Sequence, residues 1–106
     1  MKRGEVWWVA FVPALGSEIQ KTMPAIIVSN DSANRNLKRV GVVPLTTNTS
    51  RVFPGEARVS VAGEFCNAMS DQVMAADKLR LKDKLATLSN MLEVEKAICT
   101  HLGLPV

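Results

Sequence analysis

The chain has 106 residues, of which 47% are apolar and 22% charged, a composition typical of a folded globular protein. No apolar run approaches the roughly 18 residues that a membrane-spanning helix needs, and no apolar signal-peptide core or cleavage site follows the basic residues at the start. We therefore expect a soluble, cytoplasmic protein with a single domain over residues 1–106, because domains commonly have roughly 100 to 150 residues.

The net charge of +3 is concentrated in one half of the chain. Residues 1–53 carry seven Lys and Arg against three Asp and Glu, whereas residues 54–106 carry six against seven. A basic bias of this kind fits an anionic partner such as nucleic acid, since Lys and Arg neutralise phosphates. Many inert domains have a similar charge, so the bias alone identifies no function.

The first two thirds of the chain are typical of short strands. Residues 6–12 are β-branched and aromatic with no polar face, which predicts a strand buried on both sides, or buried on one side with an oligomer interface on the other. A second strand is predicted from Pro24 to residue 29, with Pro24 as its first residue. Residues 30–39 are predicted as a turn-rich connection. A third strand is predicted over residues 40–46, in which Pro44 indicates an edge or a bulge. Polar and apolar residues alternate over residues 56–61, which predicts a half-exposed strand. Residues 65–74 predict an irregular strand.

In the last third of the chain, the spacing of apolar residues changes from that of a strand to that of a helix. Asp77 can cap a short helix, although the segment could equally return to a strand at residues 84–88. Asn90 with Glu93 three residues later resembles a capping box and predicts a C-terminal helix. Its apolar stripe is Met91, Val94, Ile98 and Leu102, and Gly103 with Pro105 ends it. The expected fold is mainly β with this C-terminal helix packed on a small curled sheet or barrel.

No metal motif, nucleotide-binding glycine loop or nucleophile–histidine pair is evident in the sequence. Cys66 and Cys99 are too few and too far apart for a disulfide framework or a zinc site, and we interpret both as free thiols. The single His101 is interpreted as structural or superficial, and no metal or cofactor is expected. Three polar loops at strand ends, residues 16–23, 30–39 and 46–55, are the candidate sites.

The order of short segments resembles the MazF/PemK family over nearly the whole chain. The strings that carry the resemblance are Arg3-Gly4-Glu5-Val6-Trp7, Gly16-Ser17-Glu18, Pro24-Ala25-Ile26-Ile27-Val28-Ser29-Asn30, Val42-Val43-Pro44-Leu45-Thr46-Thr47, Asp71-Gln72-Val73, Asp77-Lys78 and Leu81. The resemblance implies an SH3-like barrel shared with the CcdB gyrase poisons and a homodimer. It also implies a metal-independent endoribonuclease, or mRNA interferase, that cuts single-stranded RNA, and a cognate antitoxin that covers the RNA groove.

The same resemblance implies which residues act. Thr46 matches the catalytic Thr or Ser at a strand end, and Glu18 matches the acidic residue of the Gly-Ser-Glu loop. Met23 stands where the family carries an arginine that steadies charge on the phosphoryl oxygens during attack by the RNA 2′-hydroxyl. Met74 stands where many relatives carry a second arginine. We expect activity to be reduced or abolished, since loss of one donor to a developing oxyanion costs about 10² to 10³ in rate.

Other side chains are candidates for RNA contact. Lys21 is two residues from Met23, and residues i and i+2 of an extended segment point the same way, so its ammonium is a candidate replacement; an exposed loop lysine is the alternative. Trp7 and Trp8 are interpreted as core or dimer residues and less as base-stacking ones. The remaining candidates are Asp71, Gln72, Arg35, Lys38, Arg39 and Arg51.

Two alternative functions remain open. The chain could be a catalytically silent homologue that binds antitoxin or RNA, which Met23 and Met74 favour. It could also be a gyrase-directed toxin of the same fold, although the Gly-Ser-Glu loop and the Pro-Leu-Thr-Thr string match the ribonuclease branch.

Overall fold

The computed structural model describes residues 1–11 and 21–105. The elements in these ranges are, in chain order, β1 Glu5–Phe11, β2 Lys21–Ile27, α1 Asp31–Asn36, β3 Arg39–Thr46, β4 Glu56–Val61, β5 Glu64–Met69, a 3-10 turn Ser70–Gln72, β6 Met74–Asp77, a second 3-10 turn Lys78–Arg80, β7 Leu81–Thr87 and α2 Leu92–Leu102. None of the helices in these ranges has the length and apolar character that crossing a membrane requires.

The strands form one curled antiparallel sheet in the order β4-β5-β3-β2-β1-β7, with β6 paired to β3 beside this path. The sheet is not closed, because within the described residues its end strands β4 and β7 pair with only one neighbour each. The prediction of a mainly β fold with a C-terminal helix is confirmed.

Strand β3 joins the two parts of the sheet. Its first half pairs with β6 up to Val42, and its last two residues, Leu45 and Thr46, pair with β5. Pro44 falls between these two partners and pairs only with Ala25 of β2. The predicted edge position of Pro44 is wrong, but the change of partner explains why a residue without an N–H is tolerated there.

Neighbouring residues of the central strands pack into two different apolar clusters. Ile26 and Val43 belong to the cluster that also contains Val94 of α2, whereas Ile27 and Val42 belong to a second cluster. Since successive side chains of a strand point to opposite faces, the sheet is covered on both faces. This explains the runs of apolar residues without a polar face in β1, β2 and β3.

Two strand predictions are confirmed in detail. Strand β1 covers the predicted apolar run as far as Phe11, whereas Val12 lies outside the described residues. Trp8 within β1 remains 38% exposed. Strand β4 has the predicted bounds and alternates buried with more exposed residues. Pro24, predicted as the first residue of its strand, lies inside β2 opposite Trp8, so that boundary is wrong.

The connection after β2 contains a short helix that sequence periodicity does not predict. Asn30 caps α1 by accepting a hydrogen bond from the backbone N–H of Ala33 at 2.8 Å. The buried Asn34 donates to the backbone oxygen of Ser29 at 3.0 Å. The helix has only six residues and is fixed by polar contacts, so it has no apolar stripe to detect.

The single irregular strand predicted over residues 65–74 is two strands separated by a 3-10 turn. After β6, Asp77 caps a turn by accepting from the N–H of Leu79 at 2.9 Å, and the chain then returns as β7. The predicted short helix after Asp77 and the alternative strand at residues 84–88 are therefore both partly correct.

Helix α2 begins at Leu92 with Met91 as its N-cap, so the predicted capping box of Asn90 and Glu93 is wrong. The Asn90 side chain instead accepts from the N–H of Leu92 at 2.9 Å, and the helix ends at Gly103 with φ of 70°. Val94 is fully buried, whereas Leu102 is 52% exposed, so the predicted stripe is wrong at its last position. Cys66 is buried, burial raises the pKa of its thiol, and both cysteines are free as predicted.

Glu5 holds the start of β1 against β7. Its carboxylate accepts hydrogen bonds from the Trp7 indole at 2.9 Å and the Lys2 backbone at 3.0 Å, and it lies 3.2 Å from the Lys84 ammonium. Burial alone would raise the pKa of Glu5, but these partners outweigh it and lower the pKa to about 2.

Candidate active site at the end of strand β3

Thr46, the last residue of β3, is half-buried at the edge of a cleft of about 570 Å³. The loop between β3 and β4 supplies most of the opposite wall, and Met69 at the end of β5 completes it. The lining residues are Thr46, Asn48, Ser50, Arg51, Phe53, Glu56 and Met69. The cleft therefore combines a hydroxyl, a guanidinium, a carboxylate and an aromatic ring.

The Thr46 hydroxyl is held in place without using its proton. Its oxygen accepts a hydrogen bond from the backbone N–H of Asn48 at 3.2 Å. A hydroxyl has one donor and can accept twice, so the Thr46 proton remains available to an acceptor that enters the cleft. A phosphoryl oxygen is an acceptor of this kind.

A buried amide anchors the loop that bounds the cleft. Asn67 of β5, only 1% exposed, donates through Nδ2 to the backbone oxygen of Arg51 at 2.8 Å. Arg58 of β4 donates to the backbone oxygen of Thr49. These two contacts hold the middle of the loop against the β4–β5 pair.

The end of the same loop is closed by its own hydrogen bonds. The N–H of Phe53 donates to the Glu56 carboxylate at 3.1 Å, and the N–H of Glu56 donates to the oxygen of Phe53 at 3.0 Å. Gly55 adopts φ of +83°, which side-chain-bearing residues rarely take. A Cβ at Gly55 would lie 3.6 Å from Cβ of Asp71 and 3.7 Å from Cβ of His101, so the loop, the first 3-10 turn and the end of α2 meet here.

Met23 lies in strand β2, half-buried and paired with Val9. The β2–β3 pairs run to Ala25 opposite Pro44, and continuing this register by two residues brings Met23 across from Thr46. This continued register supports the place that the resemblance gives to the arginine, but Met23 does not line the cleft of Thr46, and the role of this position stays a prediction. Methionine provides neither a charge nor an N–H donor there.

Glu18 and Lys21 are the two candidates that precede Met23 in the chain. Glu18 lies outside the described residues. Lys21 begins β2 opposite Phe11, and its side chain also lies outside the description. Their proposed roles remain predictions.

Asp71 and Gln72 are exposed on the 3-10 turn that directly follows Met69. The Gln72 amide lies 3.5 Å from the Met69 sulfur, and Met69 lines the cleft. Both residues thus border the cleft without lining it.

The remaining basic candidates divide between the cleft and other surfaces. Arg51 lines the cleft with Thr46. Arg39 instead lines a second cavity of about 360 Å³, together with Phe11, Met74, Ala75, Asp77 and Arg80. Arg35 in α1 and Lys38 before β3 are exposed and line neither cavity.

Sequence reasoning missed Phe53, Asn48 and Asn67 as parts of the site. Phe53 carried a detectable signal, because an aromatic residue inside a polar loop is unusual. Asn67 carried none, since its role depends on contact with a loop residue 16 positions away. Within residues 1–11 and 21–105, no group of three or more His, Cys, Asp or Glu residues is arranged to hold a metal ion.

Comparison with known proteins identifies the family of this chain. The family model described as PemK-like, MazF-like toxin of type II toxin-antitoxin system matches residues 2–102. The chain is 34% identical to the endoribonuclease MazF9 of Mycobacterium tuberculosis, with 98% of each chain covered. It is 32% identical to the endoribonuclease MazF of Staphylococcus saprophyticus, covering 98% of this chain and 92% of that protein.

Solved structures give the same fold. A mycobacterial endoribonuclease in complex with its cognate antitoxin superposes with a TM-score of 0.81 at 28% identity, covering 100% of this chain and 98% of that one. MazF of Deinococcus radiodurans superposes with a TM-score of 0.81 at 22% identity, covering 98% and 97%, which supports the fold. The chain belongs to the PemK-like, MazF-like family of toxins of type II toxin-antitoxin systems.

Proposed function

We propose that this protein is an endoribonuclease toxin that cleaves single-stranded mRNA in the cytoplasm at short sequences, without a metal ion. The single observation that carries the proposal is the position of Thr46 at the edge of a cleft with Arg51 in its wall. The curated relatives named as endoribonucleases support it, because they match the chain over nearly its full length.

The proposed reaction begins when an RNA 2′-hydroxyl attacks the adjacent phosphorus. A bond forms between the 2′-oxygen and phosphorus, and the bond from phosphorus to the 5′-oxygen breaks. The departing 5′-oxygen takes up a proton from water, so the products are a 2′,3′-cyclic phosphate and a free 5′-hydroxyl. We assign to Thr46 a hydrogen bond to a phosphoryl oxygen, where negative charge develops. We assign to the Glu18 carboxylate the proton of the attacking hydroxyl.

Met23 weakens this arrangement. An arginine at this position would form two charge-assisted hydrogen bonds to the phosphoryl oxygens, whereas a thioether forms none. We propose that activity is lower by about 10² to 10³ for this reason. Lys21 and Arg51 are the cations assigned to partial compensation, Lys21 as a point charge only.

A different function is favoured by the two methionines. If Met23 and Met74 have removed catalysis, the chain would act as a binding protein that occupies antitoxin or RNA. The cleft would then still bind phosphates through Arg51 but leave the RNA intact.

The deciding experiment incubates purified protein with a long single-stranded RNA in excess EDTA and analyses the new ends by mass spectrometry. Cyclic phosphate ends that disappear in the Thr46→Ala variant are expected. Cleavage only after Met23→Arg would support the silent homologue, and no cleavage by either protein would contradict the enzymatic proposal.

Two protein partners are also proposed. A cognate antitoxin is supported by the mycobacterial structure, which is a complex with its antitoxin. A homodimer is supported by Trp8 and Leu85, which are 38% and 39% exposed and line one largely apolar depression with Pro24. Light scattering on the parent and on Trp8→Glu tests the dimer: a smaller mass for the variant is expected, and a monomeric parent would contradict it.

A further inference from the structure

Phe53 presents a half-exposed aromatic ring inside the cleft beside Thr46. The residue is 52% exposed and lines the same cleft wall as Arg51. Single exposed apolar residues are common on protein surfaces, so exposure alone does not mark a binding site. The surroundings of Phe53 provide the further evidence.

The first observation is that Arg51 covers part of the ring. The guanidinium carbon of Arg51 lies 5.3 Å from the centroid of the Phe53 ring, a cation–π arrangement. Among the described residues Arg51 forms no ion pair. Its charge is therefore available to an anion while its plane helps to orient the ring.

The second observation is that the backbone on both sides of the pair is fixed. Asn67 holds the Arg51 carbonyl and Glu56 holds the Phe53 N–H, at 2.8 and 3.1 Å. Ordering these residues before a ligand arrives lowers the entropic cost of binding. Exposure of an apolar ring to solvent is unfavourable for the free protein, so a ligand that covers the Phe53 ring gains affinity.

A planar group attached to a phosphate matches this pair. Single-stranded RNA is commonly recognised by stacking of unpaired bases on aromatic side chains and arginine planes, with basic residues on the phosphates. A peptide offers such a combination rarely, whereas every nucleotide has both a flat base and an anionic phosphate.

We infer that Phe53 is a base-stacking platform for the nucleotide next to the phosphate held at Thr46, with Arg51 contacting a neighbouring phosphate of the same strand. Phe53 then acts on RNA affinity and on sequence preference near the cut, while Thr46 acts on the chemical step. This inference rests on the proposed RNA cleavage.

The test measures RNA binding apart from RNA cleavage. The probe is a fluorescein-labelled single-stranded RNA of about twelve nucleotides, within the usual site size of single-strand-binding domains, with every 2′-hydroxyl methylated so that it cannot be cut. Fluorescence anisotropy gives the Kd for the parent, Phe53→Ala, Phe53→Leu and Phe53→Trp.

We expect Phe53→Ala to weaken binding roughly 5- to 150-fold, the usual contribution of one base–aromatic stack. Phe53→Leu should lose most of the same affinity, because it keeps apolar volume but not the flat ring, and Phe53→Trp should retain it. The matched control is Phe65→Ala, since Phe65 is a 68% exposed phenylalanine that does not line the cleft. Its affinity should equal that of the parent.

A second set of probes identifies the stacked base. Each nucleotide in turn is replaced by an abasic one, and the same Kd values are measured. At one position the abasic change should weaken RNA binding by the parent strongly and RNA binding by Phe53→Ala hardly at all, because the variant already lacks the stack. Equal losses for both proteins at every position would overturn the inference.

The outcomes separate this inference from the proposed function. If the parent cuts RNA and Phe53→Ala binds as tightly as Phe65→Ala, the stacking role is wrong and the nuclease proposal stands. If the parent neither binds nor cuts RNA, both are overturned. A Phe53→Ala protein with unchanged RNA affinity but a smaller mass by light scattering would assign the ring to a protein interface instead.

Discussion

Thr46 and Asn67 lie directly opposite one another in the ladder between β3 and β5. The Thr46 hydroxyl lines the cleft, and the Asn67 amide holds the loop that forms the facing wall. One position of the ladder thus fixes both the candidate catalytic group and the shape of its surroundings.

The anchoring role of Asn67 predicts a loss of stability on truncation. Asn67→Ala removes the hydrogen bond to the Arg51 carbonyl at a site that is 1% exposed. The free energy of unfolding in urea should fall by about 1–3 kcal/mol, since a buried carbonyl loses its partner. The control Asn36→Ala alters an exposed residue of α1 and should change the free energy of unfolding by less than about 0.5 kcal/mol. Equal stability of the two variants would show that the anchor is unimportant.

The position of Thr46 predicts a selective loss of chemistry. Thr46→Ala should reduce the rate constant for RNA cleavage by at least about 10², because a donor to the phosphoryl oxygen is removed. Thr46→Ser keeps the hydroxyl and should retain most of the activity. Single-turnover kinetics on a labelled RNA measure both, with Thr87→Ala, exposed on β7, as the control. Full activity of Thr46→Ala would place the catalytic group elsewhere.

The register of β2 and β3 predicts that an arginine at position 23 reaches the phosphate at Thr46. Met23→Arg should raise the cleavage rate constant by about 10² to 10³. Met23→Gln is the matched control, because it adds an amide donor without a charge and should give a smaller increase. A rate unchanged by Met23→Arg would mean that this position does not face the reacting phosphate.

Met74 provides a separate test of the same geometry. It lines the cavity shared with Arg39 and Arg80 and does not line the cleft of Thr46. An arginine at position 74 should therefore tighten RNA binding severalfold by adding a phosphate contact, while leaving the single-turnover rate constant nearly unchanged. A rate increase comparable with that of Met23→Arg would contradict this separation.

Glu5 predicts a defined dependence of stability on pH. Its pKa is lowered from 4.5 to about 2 in the folded protein, so the ionised carboxylate stabilises the fold at pH values above 4.5. This contribution should decrease as pH falls from 4.5 towards 2, because the unfolded chain binds the proton first. The difference in unfolding free energy between the parent and Glu5→Gln should shrink over this range. The exposed Glu64→Gln is the control, and a difference independent of pH would contradict the role of Glu5.

Much of the fold follows from local sequence patterns. The alternation of residues 56–61 defines β4, the apolar runs define β1 and β3, and Asn90 with Gly103 marks the two ends of α2. Such patterns succeed because burial on one or both faces of a strand or helix dictates residue type with a fixed period. The order of segments also identified the family, whose model matches residues 2–102.

Elements that lack an apolar period were not visible in this way. Helix α1 depends on polar capping by Asn30, and the break between β5 and β6 occurs where β3 exchanges one partner for the other. The sequence by itself determined the strand content, the terminal helix, the family and the hydroxyl at position 46. Only the tertiary structure decided that Arg51 and Phe53 share a cleft with that hydroxyl while Arg39 and Met74 lie in another cavity, because strand pairing and the Asn67 anchor bring together residues that no local period relates.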